Sequence, residues 1–125
     1  MANESKPLFR PGVDVTVLTT AAVVGKTFLS VSAARDASTG LVKVATAVAA
    51  AKPFGVATAD AASGGTLAVH RGGIIPVTAG GAIAAGALVE IGTAGKVVTL
   101  ASGVPVGQAL EAGTTNNDVL IALDI

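Results

Sequence analysis

Residues 66–81 read TLAVHRGGIIPVTAGG, and the parsing of this stretch decides the fold. Leu67 and Val69 alternate with Ala68 and His70, which is the period of a half-buried strand. Ile74, Ile75 and Val77 form a second β-branched run of the kind enriched in sheets. Between the runs, Gly72 and Gly73 permit a bulge or a positive φ, and Pro76 marks an edge or a strand end because it donates no ladder hydrogen bond. Arg71 beside two glycines suggests an anion nest, but phosphate loops place their glycines ahead of a helix. IIPVTA is not a helical sequence. The stretch is a bend between two strands.

The same pattern extends in both directions. VDVTVLT (13–19) alternates valine with Asp14 and Thr16, and KTFLSVSA (26–33) and LVKVATAV (41–48) behave similarly. Further strands are expected at 55–59, 66–72, 74–79, 87–91, 96–100, 104–110 and 118–125. DAASGG, GTAGK, ASG and GTTNND separate them with turn compositions. Only 46–51 (TAVAAA) and 81–87 (GAIAAGA) read as helix, and Gly86 and their short length allow no more than one turn. Many short strands at this spacing predict an all-β fold: a small antiparallel β-sandwich or partly closed barrel, with residues 13–125 as a single β domain. The apolar terminal strand, 118–125, would be hazardous as a free edge, which favours self-association.

Composition excludes several function classes. Eight basic and eight acidic residues in 125 leave no net charge, whereas nucleic-acid binding needs a surplus of Lys and Arg. The chain has no Trp or Tyr and only three Phe, too few for a base-stacking platform. Cysteine is absent, which removes disulfides, thiolate chemistry and cysteine metal sites. The longest apolar run, 44–51, is interrupted by Thr46 and flanked by Lys43 and Lys52. It is far short of the roughly 20 residues of a membrane span. The start, MANESKPLFR, has no apolar stretch behind a basic one, so a protein made in the cytoplasm without a signal peptide is expected.

An internal repeat is visible. Pro53-Phe54-Gly55 is followed by Asp60-Ala61, a glycine-rich turn and TLAV from Thr66. Pro105-Val106-Gly107 is followed by Glu111-Ala112, GTTNND and VLIAL from Val119, an offset of 52 residues between Gly55 and Gly107. Each unit reads as strand, acidic turn, strand, and neither carries chemistry.

No catalytic, cofactor or metal site is expected. His70 is the only histidine, and without a second His or any Cys it reads as a partly exposed strand residue. Ser63 and Ser102 sit in glycine-containing turns without a nucleophile elbow. The carboxylates Asp14, Asp36, Asp60, Glu90, Glu111, Asp118 and Asp124 are spread thinly along the chain. GGAIAAGALVEIG has the rhythm of biotinyl and lipoyl carrier domains, but the nearby lysine, Lys96, lies in AGKV, which matches neither modification motif.

A longer stretch carries a family resemblance. It runs FGVATADAASGGTLAVHRGGIIPVTAGGAIAAGALVEIGTAGKVV from Phe54, then PVGQALEAGTTNNDVLIAL from Pro105. It resembles the capsid decoration, or cement, proteins of tailed bacteriophages, particularly those infecting actinobacteria. The matching features are Phe54-Gly55-Val56-Ala57 with Asp60 to Gly64, Arg71-Gly72-Gly73 with Pro76-Val77, Ala79-Gly80-Gly81 with Ile83, and Val106-Gly107-Gln108-Ala109. The opening SKPLFRPG is also similar. Residues 26–48 match least.

The resemblance implies a structural protein on the outer surface of an icosahedral phage head, where capsomers meet. Its partners would be the major capsid protein and itself, as a homotrimer, with no nucleic acid and no membrane. A surface module binding a glycan or a host protein is the alternative, and it would need exposed aromatics. The first twelve residues read as an extended arm. Pro7 and Pro11 bias the chain to PPII, with Leu8, Phe9 and Arg10 between them. Phe9 is expected to anchor the arm on the capsid or a neighbouring subunit, with Arg10 pairing to a carboxylate. Arg35 and Arg71 are candidates for local directional contacts.

Overall fold

The computed structural model describes residues 12–125. Ten strands follow one another: β1 (Asp14–Thr19), β2 (Phe28–Ala33), β3 (Val42–Thr46), β4 (Gly55–Ala57), β5 (Thr66–His70), β6 (Ile74–Thr78), β7 (Leu88–Ile91), β8 (Val97–Thr99), β9 (Gly107–Ala109) and β10 (Asp118–Leu123). Each lies inside one of the ten runs read from the sequence. The two helical readings fail. Thr46 ends β3 and a turn with Ala50 at φ 63° follows, while Ile83 bridges Gly113 and Gly86 turns the chain at φ 83°. One 3-10 turn occurs among the described residues, at Thr93–Gly95.

The first five strands form a closed barrel in the order β1-β3-β2-β4-β5, with β5 returning to pair β1. The last five form a sheet in the order β6-β10-β9-β7-β8. Neighbouring strands are antiparallel except β1 and β3, which run parallel with Val17 opposite Val42. That pair departs from the expected antiparallel arrangement for a topological reason. A ring of five strands cannot alternate direction all the way round, so one neighbouring pair must be parallel.

The repeat is larger than the hairpin legible in the sequence. Advancing every strand number by five turns the barrel order β3-β2-β4-β5-β1 into β8-β7-β9-β10-β6, the order of the second sheet. The bridges recur too: Val23 with Ala61, Ile83 with Gly113. So do the left-handed residues, Lys26 (φ 63°) with Gly86 (φ 83°) and Gly64 (φ 78°) with Asn116 (φ 63°). These pairs lie 60 and 52 residues apart. Part of the difference comes from a shorter connection between β7 and β8 (92–96) than between β2 and β3 (34–41).

In the second half the parallel closing pair shrinks to a single bridge, Ala79 with Val97, where the Gly80 N–H donates to the Val97 carbonyl at 2.8 Å. The ring stays open because the first half enters it. The Thr78 N–H donates to the Lys26 carbonyl at 2.9 Å. Its repeat counterpart Leu18 instead sits in register with Lys43 of β3.

Two cores result. Val15, Val17, Leu29, Val44, Leu67 and Val69 fill the barrel. Val77, Val89, Ile91, Val97, Val119 and Ile121 form the second core, and Phe28, Ala47 and Val56 from the first half are part of it. The terminal strand β10 lies between β6 and β9, so it is not the free edge anticipated. The edges are β6 and β8. Pro76 sits on edge strand β6, and Gly73 takes φ 95° ahead of it, as the sequence predicts.

Because Phe28 belongs to the core of the other half, Phe28→Ala is expected to destabilise the whole fold by about 3–5 kcal/mol. Chemical denaturation should show one transition, shifted to lower denaturant. Two separate transitions in the parent protein would show that the halves fold independently.

Candidate functional site

The polar side chains are engaged chiefly in holding the chain's own turns and strand ends. Asp14 and His70 face each other across β1 and β5, with Oδ1 and Nδ1 2.9 Å apart on a solvent-exposed face. Asp36 accepts from both the backbone N–H and the hydroxyl of Thr39 at 2.7 Å, bracing the connection between β2 and β3. These hydrogen bonds, the hydroxyl first, lower its pKa below the ordinary carboxylate value, and Lys43 at 3.7 Å adds to the effect. Asp60 accepts the Gly25 N–H at 2.8 Å, and Glu111 accepts the Leu120 N–H at 3.2 Å. Asp118 pairs with Lys26 at 2.7 Å and so ties the second half to the first. The Ser63 hydroxyl donates to the Thr20 carbonyl at 3.1 Å. Among the described residues, no three His, Cys, Asp or Glu side chains gather where they could hold a metal ion.

Glu90, on β7, is the one buried carboxylate among the described residues. Its Oε1 accepts the Ala101 N–H at 3.1 Å, which draws the loop after β8 down over β7. Its Oε2 rests against the backbone of Gly103, where a Cβ would collide with it, and has no hydrogen-bond partner. A hollow of about 550 Å³ adjoins this place, lined by Ala50, Glu90, Thr93, Lys96 and Asn116 among others. Lys96, at the end of the connection between β7 and β8, donates to Asn116 Oδ1 at 2.7 Å and is tied to the turn before β10.

Of the expected contact residues, Pro7, Leu8, Phe9, Arg10 and Pro11 lie outside the described residues. Arg35 is exposed on the connection between β2 and β3. Arg71 is turned inward. Its Nε donates to the Phe54 carbonyl at 2.8 Å, and its guanidinium carbon stands 4.5 Å from the centre of the Phe54 ring. Phe28 is fully buried and Phe54 is covered by Arg71, which leaves neither as an exposed aromatic for a glycan.

One collection of side chains has no single motif in the sequence. Ile74, Pro76, Leu88, Leu110 and Leu120 are exposed on the outer face of the second sheet. They come from β6, β7, β10 and the residue just after β9, and only the strand order makes them neighbours.

The fold is thus a five-stranded barrel joined to an opened repeat of itself. The family model for phage cement proteins matches residues 10–125, and the chain belongs to that family. Its role is decoration of the phage capsid, and it is a structural component of the virion. The fold is shared with the crystal structure of the N base of head fiber gp8.5 from bacteriophage phi29. That match has a TM-score of 0.75 at 22% identity, over 90% of this chain and 93% of that one. No curated protein sequence matches.

Since Arg71 is held by Phe54, Arg71→Ala should lower stability by about 1–2 kcal/mol through loss of a hydrogen bond and a cation–π contact. His70→Ala removes only an exposed pair and should change stability by less than about 1 kcal/mol. Thermal melts of the two variants side by side test this order.

Proposed function

We propose that this cement protein lies on the outer surface of an icosahedral head, bound to the major capsid protein where capsomers meet, as a homotrimer. The observation that carries the reading is the family match over nearly the whole chain, residues 10–125. The structure supports it on separate grounds. The described charged groups largely hold turns, strand ends and the join between the halves, as a passive scaffold requires. A threefold junction presents three equivalent surfaces, and a closed ring of three copies meets them with one repeated contact. Its work is mechanical and needs no catalytic group, cofactor or metal. Many copies over a closed shell let modest contacts act together.

Residues 1–12 form the arm and 13–125 the rigid β domain. Within the arm, Phe9 anchors in an apolar site with Leu8 beside it and Arg10 pairs with a carboxylate, while Pro7 and Pro11 keep the segment extended. Burying Phe9 contributes about 2 kcal/mol per copy before the cost of ordering the arm. Arg35, exposed between β2 and β3, supplies a local directional contact. Arg71 contributes through the surface that it and Phe54 make together.

Deleting residues 2–11 should leave a folded protein that binds undecorated heads poorly, as read by co-sedimentation. Undiminished binding would remove the arm from the mechanism. With no net charge, the contact should also resist salt. Decorated particles moved to 1 M NaCl, where the Debye length falls to about 3 Å, should keep most of their decoration, and guanidinium should strip it. Release by salt alone would make the contact electrostatic. A cryo-EM map of the particle reads surface, symmetry position and copy number directly.

A further inference from the structure

We propose that the outer face of the second sheet is the surface that seats this protein on the shell, against an apolar patch of a capsid subunit. The inference rests on the cement reading above and names the face that performs it. Two rows of side chains cross the sheet. Leu120 lies opposite Pro76, and the Leu110 N–H donates to the Leu120 carbonyl at 2.9 Å, which aligns Pro76, Leu120 and Leu110. Ala122 lies opposite both Ile74 and Gln108, and Gln108 opposite Leu88, which makes the second row. Ile74 is 62% exposed, Leu88 52%, Leu110 45% and Leu120 38%.

The first half is the control for this face. It has the same strand connectivity, and its counterparts of Ile74, Pro76, Leu110, Leu120 and Ala122 are Asp14, Thr16, Thr58, Ala68 and His70, four polar residues and one small alanine. Asp14, Thr16 and Thr58 are exposed and His70 partly so. The fold is thus built with a polar face at these positions in one half, so nothing in the architecture requires an apolar face in the other. Leu88 has Phe28 as its counterpart, and Phe28 is fully buried because the second half covers it. The same position in the second half, Leu88, is 52% exposed among the described residues.

Size points to the kind of partner. Five partly exposed side chains make a patch on the scale of the largest on an ordinary monomer, a few hundred Å², and short of the roughly 800 Å² that each partner of a stable free complex buries. That is too little to hold a dimer in solution and enough for the apolar centre of a contact repeated over a shell. Glu111 and Asp124 are exposed beside the rows, and Asp124 joins Leu88, Gln108 and Ala122 around a hollow of about 350 Å³. The complementary surface is therefore apolar, with Lys or Arg at its rim.

The test uses the full chain with Leu88→Thr and Leu120→Thr together, β-forming residues that keep the strands intact. Binding to undecorated heads is measured by co-sedimentation, folding by circular dichroism, and the state of the free protein by analytical ultracentrifugation. A second variant, Ile74→Thr with Leu110→Thr, stands in if the first fails to fold, and Thr16→Glu on the first half is the matched control. The inference expects folded variants that bind heads at least about tenfold more weakly, with Thr16→Glu binding like the parent. Variants that bind like the parent overturn it and leave the cement reading intact. A parent that does not bind heads overturns the cement reading itself. A free parent that is oligomeric, with variants that are monomeric, assigns the face to a second copy of this chain and overturns the capsid as its occupant.

Discussion

Phe28 and Leu29 are consecutive, both fully buried, and they belong to different cores. A strand sends successive side chains to opposite faces, so β2 can serve two cores only if protein lies on both sides of it. Leu29 faces the barrel interior, and Phe28 enters the sheet of the second half. Much of the remaining architecture follows from this. The second ring cannot close like the first, because Phe28, Ala47 and Val56 occupy its core. Hydrogen bonds from Thr78 to Lys26 and from Ala50 to Ile91, with the Lys26–Asp118 ion pair, sew the second half to the first.

Repetition and asymmetry together suit this fold to cementing a shell. Two units of one connectivity give a body stiffened by strand pairing, with short connections and few long side chains. The units differ where it matters for recognition: where the second half exposes Ile74, Pro76, Leu110 and Leu120, the first half has Asp14, Thr16, Thr58 and Ala68. Charge is placed to support this division. Asp36, Asp60 and Glu111 hold turns, and Asp118 holds the halves together. Glu90, buried beneath Gly103, binds the loop after β8. These carboxylates thus brace the scaffold of a structural family.

The strands were legible because their signal is local. Alternation of valine with polar residues in 13–19, and the glycines and proline of 70–81, fix strand and turn through neighbouring backbone geometry alone. All ten strands and the edge position of Pro76 followed from such patterns. The alanine-rich segments at 46–51 and 81–87 misled because alanine favours helix only where a nucleus survives. Each is held extended or turned by a distant partner or a left-handed residue, as Ile83 is by Gly113 and the chain by Gly86.

What the sequence by itself determined was the all-β class, the places of the strands and the lack of a local catalytic motif, since each depends on residues a few positions apart. Ring closure, the parallel pair, the inward turn of Arg71 onto Phe54, the central position of β10 and the apolar face of the second sheet were decided only by the tertiary structure. Each requires residues tens of positions apart to become neighbours. Register and strand order set those neighbours, and a period-two pattern states which face a residue takes without stating what that face meets.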